Sequence, residues 1–107
     1  MKSVCAIIPE KKLEAVNNAM HKLGITGMTV FNTKGRGKDT PKPNQMGHWW
    51  YFSEFGENNT ILILSSDDDV PKIIEGIKAN SEVGKIIVTD IEQLVDIKSN
   101  NRGESAL

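Results

Sequence analysis

The chain has 107 residues, with 13 lysines and arginines against 14 aspartates and glutamates, a formal net charge of −1. This length suits one domain with a modest core, and the balanced charge excludes a general nucleic-acid or membrane-surface binder. The single cysteine, Cys5, excludes an internal disulfide, and we expect it to be a small buried hydrophobe in a reducing, cytoplasmic protein.

The first residues are not expected to be a targeting segment. The apolar run 3–8 is too short for a signal peptide, and charged residues follow it at positions 10–12. No stretch approaches the roughly 20 apolar residues that a membrane-spanning helix needs. We therefore expect no membrane insertion.

The first third of the chain predicts strand, helix and strand. Residues 4–8 (Val-Cys-Ala-Ile-Ile) form a short branched apolar run, which predicts a strand buried on both faces. Apolar residues recur at helical spacing over residues 11–23, which predicts an amphipathic helix. Gly24 suits the left-handed position that ends such a helix. Residues 27–33 then predict the second strand.

The second half repeats this order after a long middle segment. Residues 60–64 (Thr-Ile-Leu-Ile-Leu) predict a third strand. The three aspartates at 67–69 are expected to supply an N-cap and favourable charge for the next helix, and Pro71 fits its first turn. Residues 85–89 predict the fourth strand.

Two successive β-α-β units predict an α+β fold of the ferredoxin-like, split βαβ-βαβ type. Such a fold has one four-stranded antiparallel sheet with two helices on one face. Because the strands are apolar on both faces, we expect self-association to cover the other face. A closed homo-oligomer follows.

The segment 35–59 does not have the composition of a core. Residues 38–45 are polar and carry two prolines, and five of the six aromatic residues lie within the seven positions 49–55. This aromatic cluster either fills space beside the third strand, packs across a subunit boundary, or anchors a protein partner. The candidate partner-binding residues are Trp49, Trp50, Tyr51 and Phe52.

The residues Gly35, Arg36, Gly37 and Lys38 follow the second strand and could cradle phosphate. The glycines would allow close approach of the backbone, and the cations would offset negative charge. A lone Gly-x-Gly is common, so on spacing alone a flexible loop entry is the simpler interpretation. Gly84 and Lys85 are either a second phosphate-facing pair or a plain helix-to-strand turn.

Three stretches together resemble one family: residues 23–37 (Leu-Gly-Ile-Thr-Gly-Met-Thr-Val-Phe-Asn-Thr-Lys-Gly-Arg-Gly), the opening Met-Lys with Ala-Ile-Ile at 6–8, and the ending 102–107 (Arg-Gly-Glu-Ser-Ala-Leu). They resemble the PII family of trimeric signal-transduction proteins, which bind adenine nucleotides. The resemblance runs over almost all of the single domain 1–107. It implies a homotrimer that binds ATP or ADP between subunits and meets a regulated transporter or enzyme through its long, T-loop-like segment 35–59.

The resemblance also implies where each part of the nucleotide would bind. The glycine loop and the shortened turn 80–85 would contact phosphates, aided by basic residues of the adjacent subunit's C-terminal segment 96–107. Thr29 would contact adenine, with apolar strand residues lining the cleft, although a place in the core would also explain them. The expected nucleotide-binding residues are Ile7, Thr29, Gly35, Arg36, Gly37, Lys38, Leu64, Gly84, Lys85, Lys98 and Arg102.

This chain departs from the family at three positions. Asp39 and Asn58 stand where classical members carry the glutamine and lysine that hold 2-oxoglutarate. Losing the lysine removes a contact of about 2 kcal/mol, and an aspartate would repel the dianion, so we expect no 2-oxoglutarate sensing. Asp96 replaces a family arginine, which would disfavour the most highly charged nucleotide.

Neither catalysis nor a resident metal is expected, and a role for magnesium beside the nucleotide stays open. His21 and His48 lie far apart with no other ligands at suitable spacing. The alternatives are a CutA-like trimer without nucleotide, which would not need the glycine loop, and a small acylphosphatase-type enzyme. An RNA-binding module of the RRM type is disfavoured because the first and third predicted strands have no aromatic residue.

Overall fold

The computed structural model describes residues 1–38 and 55–107. Its main elements are β1 (Lys2–Pro9), α1 (Leu13–Lys22), β2 (Thr29–Gly35), β3 (Gly56–Ser65), α2 (Val70–Asn80) and β4 (Lys85–Asp90). The strands form one antiparallel sheet in the order β2-β3-β1-β4. The predicted ferredoxin-like fold is confirmed, and β3 begins four residues earlier than expected because it continues to pair with β2.

Successive side chains of each strand point to opposite faces, and both helices pack on one of them. We call this the helix-side face. It places Val4, Ala6 and Ile8 of β1 in one buried cluster with residues of β3 and both helices. The members from those elements are Val16, Met20, Ile61, Ile63, Ile73 and Ile77.

The other face, which we call the open face, carries the alternate residues. Cys5 and Ile7 of β1 are only half-buried there, so the expectation that β1 is buried on both faces is wrong for a single chain. Phe31, Leu64 and Ile87 are 45–50% exposed on this face. The reason is topological, since both crossover helices lie on the same side of the sheet.

The end of α1 follows the prediction at Gly24. Gly24 adopts a φ of 78°, and its N–H donates to the carbonyl oxygen of His21 at 3.0 Å. The Ile25 N–H donates to the carbonyl oxygen of Met20 at 3.0 Å. These two bonds are the Schellman arrangement, which turns the chain sharply and leads it back toward β2.

The start of α2 differs from the prediction. A 3₁₀ turn, Asp67–Asp69, precedes the helix, and no aspartate side chain caps it. Instead, Asp67 pairs with the Met1 ammonium at 2.8 Å and Asp69 with Lys72 at 3.1 Å. The ammonium lowers the pKa of Asp67, first through its hydrogen bond and then through its charge.

Gly84, in the connection between α2 and β4, has a structural reason to be glycine. Its φ is 130°, and a Cβ atom built on it would lie 2.2 Å from the carbonyl oxygen of Ile7. Both the backbone angle and the close approach to β1 exclude a side chain. The interpretation of Gly84 as a helix-to-strand turn is therefore supported whatever the turn binds.

We expect Gly84→Ala to lower the free energy of unfolding by about 2–4 kcal/mol, because strain at positive φ adds to the clash with β1. Urea unfolding at fixed protein concentration measures this. Gly27→Ala is the matched control: nothing lies within 4 Å of its Cβ position, so its stability should stay the same or rise slightly. Equal effects of the two substitutions would contradict the packing argument.

Candidate functional site

The stem of the long loop is a two-stranded ribbon that projects past the rest of the sheet. Strand β1 ends at Pro9, opposite Asn58, whereas β2 and β3 continue until Gly35 pairs with Gly56. Side-chain contacts join the two strands on both faces. On the open face Thr33 Oγ1 lies 2.9 Å from Thr60 Oγ1.

The helix-side face of this ribbon carries a row of paired polar groups. Asn59 Nδ2 donates to Asn32 Oδ1 at 2.8 Å, and Lys34 Nζ lies 3.7 Å from Glu57 Oε1. Just beyond the last strand pair, the Arg36 guanidinium carbon lies 6.0 Å from the centre of the Phe55 ring. The first residues of the glycine loop are thus held at the mouth of an ordered stem.

Several predicted site residues lie at this end of the open face, which we call the loop end, although they belong to both edges of the sheet, β2 and β4. Ile7 lies opposite Lys85 in the register of β1 and β4, and Gly84 packs on the Ile7 backbone. On the helix side of the same connection, a cleft of about 260 Å³ lies between α2 and the sheet, lined by Ile8, Ile77 and Ile86 as well as by Gly84 and Lys85. The glycine loop, Gly35 to Lys38, leaves β2 at the same end.

The remaining predicted residues lie elsewhere. Thr29 begins the edge strand β2 and lies opposite Leu62, about halfway along β3. Leu64 is opposite Ser3, four residues along β1 from Ile7, which is about 13 Å. Within a single chain, Leu64 is therefore far from the loop end.

Lys98 and Arg102 belong to a C-terminal hairpin that starts from the opposite end of the sheet. Strand β4 ends at Asp90, opposite Lys2, and the next N–H, of Ile91, donates to the carbonyl oxygen of Met1 at 3.2 Å. Lys98 and Arg102 are both exposed. The chain thus carries cationic groups near the loop end and in a hairpin that starts from the opposite end of the sheet.

Asp96 organises the turn of this hairpin. Its Oδ2 accepts hydrogen bonds from the Ser99 hydroxyl at 2.6 Å and the Ser99 N–H at 2.8 Å, and these bonds lower the pKa of Asp96. Ile97 beside it is 97% exposed. Asp96 therefore has a structural role. Its carboxylate stays negatively charged at neutral pH, two residues before Lys98.

Comparisons with known proteins identify the family. The family model described as nitrogen regulatory protein P-II matches residues 1–101. The chain belongs to the P-II family. Nitrogen regulatory protein P-II 1 of Methanothermobacter thermautotrophicus is 31% identical over all of this chain and 97% of its own length. The P-II proteins of Azospirillum brasilense and Pyropia yezoensis are 32% and 35% identical over the full length of both chains.

The family membership confirms the resemblance drawn from the sequence. P-II proteins are signalling regulators that act through partner proteins, which favours signalling over the CutA-like and acylphosphatase alternatives. Within residues 1–38 and 55–107, no three metal-ligating side chains come together, and neither helix is long and apolar enough to span a membrane.

Part of the predicted loop lies outside the described residues. Asp39, His48 and the aromatic residues Trp49, Trp50, Tyr51 and Phe52 all fall there. Asn58 is within the described part, in β3, half-buried opposite Thr33. The Asn58 amide lies against Gly35: its Nδ2 is 2.7 Å from where a Gly35 Cβ would stand.

Sequence reasoning missed two features of the P-II stem. Asn59 is only 1% exposed, and its Oδ1 has no hydrogen-bond partner among the described residues. The signal was available, because Asn59 follows the same alternation as the core residues Ile61 and Ile63. The second feature is the contact of Arg36 with Phe55. It depends on the register of β2 and β3, which cannot be read from the sequence.

We expect the Asp96 carboxyl to titrate below the ordinary value of 3.8, because the Ser99 hydrogen bonds favour the carboxylate. The stabilisation of the turn is then present above the unfolded-chain pKa and is lost as pH falls through the lowered pKa. A carboxyl ¹³C NMR titration of the folded protein measures the pKa of Asp96. Ser99→Ala removes the hydroxyl bond, the largest cause, and should move the pKa back toward 3.8; an unchanged pKa in that variant would contradict this.

Proposed function

We propose that this P-II protein binds adenine nucleotides, ATP or ADP, in clefts between the subunits of a homotrimer. It reports the energy state of the cell to a regulated protein through the segment 35–59. One observation carries the proposal. The predicted phosphate-binding residues divide between the loop end and the C-terminal hairpin, which start from opposite ends of one sheet, so a ligand that touches both groups would bridge two copies of the chain.

The two groups have complementary roles toward a nucleotide. The loop end offers flexible backbone and the cations Arg36, Lys38 and Lys85, while the hairpin offers Lys98 and Arg102. Among the described residues, Lys85, Lys98 and Arg102 take part in no ion pair, unlike Lys2, Lys34, Lys72 and Lys78. Exposed cations without a counter-ion favour the binding of phosphate.

The open face supports association of several copies. Phe31, Leu64 and Ile87 form exposed apolar area on a face that the helices leave uncovered. Burial of such area is the main driving force for association. The number three follows from the resemblance to the trimeric PII proteins.

A signal of energy state requires different responses to ATP and ADP. These ligands differ by one phosphate, and the loop that would contact phosphate is also the loop that would meet the partner. 2-Oxoglutarate is not expected to act at this site. Asn58 is neutral and cannot form the ion pair with a carboxylate that a lysine would supply.

Light scattering at micromolar concentration should give a mass of about three times 11.8 kDa. Ile87→Lys places a charge on the open face and should shift the protein toward monomer, because the ammonium group resists burial. Val88→Lys, at a neighbouring residue of similar exposure on the helix-side face, should leave the mass unchanged. A monomeric wild type would refute the inter-subunit site.

Calorimetric titration should detect ATP or ADP binding, and 2-oxoglutarate added with Mg-ATP should leave the affinity unchanged. Arg36→Ala should weaken binding by about 1–3 kcal/mol, the scale of a charge-assisted contact. Lys34→Ala is the matched control, because Lys34 pairs with Glu57 and is not among the predicted nucleotide-binding residues, so this variant should bind as the wild type does.

Three outcomes of this titration would count against the proposal: no binding of either nucleotide, a clear gain in affinity with 2-oxoglutarate, or equal losses in Arg36→Ala and Lys34→Ala. Tryptophan emission gives a second measurement in the same samples. Trp49 and Trp50 are the two tryptophans of the chain, so a change on nucleotide addition reports on the segment 35–59.

A further inference from the structure

The Arg36 guanidinium contacts an aromatic ring in the structure. Its carbon lies 6.0 Å from the centre of the Phe55 ring, a distance at which cations are attracted by an aromatic face. Both residues follow the last strand pair, Gly35 opposite Gly56, so the register of β2 and β3 brings them together. The ring is 48% exposed, so a ligand in water could reach the same cation.

The alternation of the ribbon indicates the side on which this contact lies. Asn32 with Asn59 and Lys34 with Glu57 occupy the helix-side face, and residues 36 and 55 come next in the same row. Gly35 belongs to the other row, together with Thr33 on the open face. Phe55 therefore draws Arg36 toward the side opposite Ile7 and Lys85.

We propose that Phe55 is a positioning residue that sets nucleotide affinity, because its ring and a ligand phosphate compete for the Arg36 guanidinium. This inference rests on the proposed nucleotide site and assigns a new residue to its regulation. A phosphate is the stronger partner for a guanidinium, since it accepts charge-assisted hydrogen bonds that a ring face cannot offer. Binding would therefore move Arg36 away from the Phe55 ring.

The competition links two events at the mouth of the stem. If the phosphate and the ring exclude each other, the ligand weakens the contact of the ring with Arg36 by the same free energy by which that contact weakens ligand binding.

The test is calorimetric titration of the full chain with ATP. Phe55→Leu removes the ring but keeps apolar bulk, and it should tighten ATP binding about two- to fivefold, the equivalent of an exposed cation–π contact. Phe55→Tyr restores a ring face and should restore wild-type affinity. In an Arg36→Ala background Phe55→Leu should have no effect, because the cation for which the ring competes is absent.

A second readout follows the contact itself. In the free protein the ring current of Phe55 should shift the Arg36 Hδ resonances upfield, and the shift should disappear in Phe55→Leu. Saturation with ATP should remove it in the wild type. A merely structural role of Phe55 would leave the shift in place when ATP is bound.

The outcomes separate this inference from the proposed function. If ATP binds the wild type but Phe55→Leu leaves the affinity unchanged or weakens it, the competition is refuted and the nucleotide site stands. Persistence of the ring-current shift at saturating ATP would refute the competition in the same way. If ATP binds neither form, both the site and the inference fall.

Discussion

The placement of both helices on one face of the sheet is the constraint on which the rest of this protein depends. It divides every strand into buried and open residues and leaves Phe31, Leu64 and Ile87 in contact with solvent in a single chain. An apolar sheet face of this kind favours association, since its burial releases water from apolar surface. The same face carries Ile7, Thr29 and Lys85, so the proposed ligand site and the proposed subunit contact share one surface.

The direction of the strands adds a second consequence. Because β1 and β4 are antiparallel, the turn at Gly84 lies next to Ile7, while the C-terminal hairpin leaves from beside Lys2. The cations of the loop end and those of the hairpin cannot come together along one chain. We propose a site made between copies for this reason, and such a site would make ligand binding and assembly support each other.

The stem of the long loop combines continuous strand pairing with a buried polar side chain. The strand pairing reaches Gly35 and Gly56, beyond the end of β1 at Pro9, so the loop leaves from an ordered ribbon. Within it the buried Asn59 is held by Asn32. A buried amide whose oxygen has no partner among the described residues costs stability, whereas Val or Ile would avoid that cost.

The sequence alone determined the order and type of the secondary-structure elements. Branched apolar runs and a helical stripe located all four strands and both helices, and Gly24 marked the end of α1 because a left-handed turn requires such a residue. Local patterns carry this information, since each element depends on neighbours within a few positions. The glycine loop and the C-terminal Arg-Gly-Glu stretch carried the resemblance to the family that the comparisons confirm.

What only the tertiary structure decided depends on residues far apart in the sequence. Cys5 is half-buried rather than buried because it lies on the open face between Leu62 and Ile87, and neither helix covers that face. Asp67 binds the Met1 ammonium instead of capping α2, because the start of β1 lies beside it. Gly84 is needed because a Cβ atom there would clash with the backbone of Ile7. Arg36 contacts Phe55 because the register of β2 and β3 places these two residues next to each other. No local pattern encodes these approaches, since strand register and helix placement are set by packing of the whole domain.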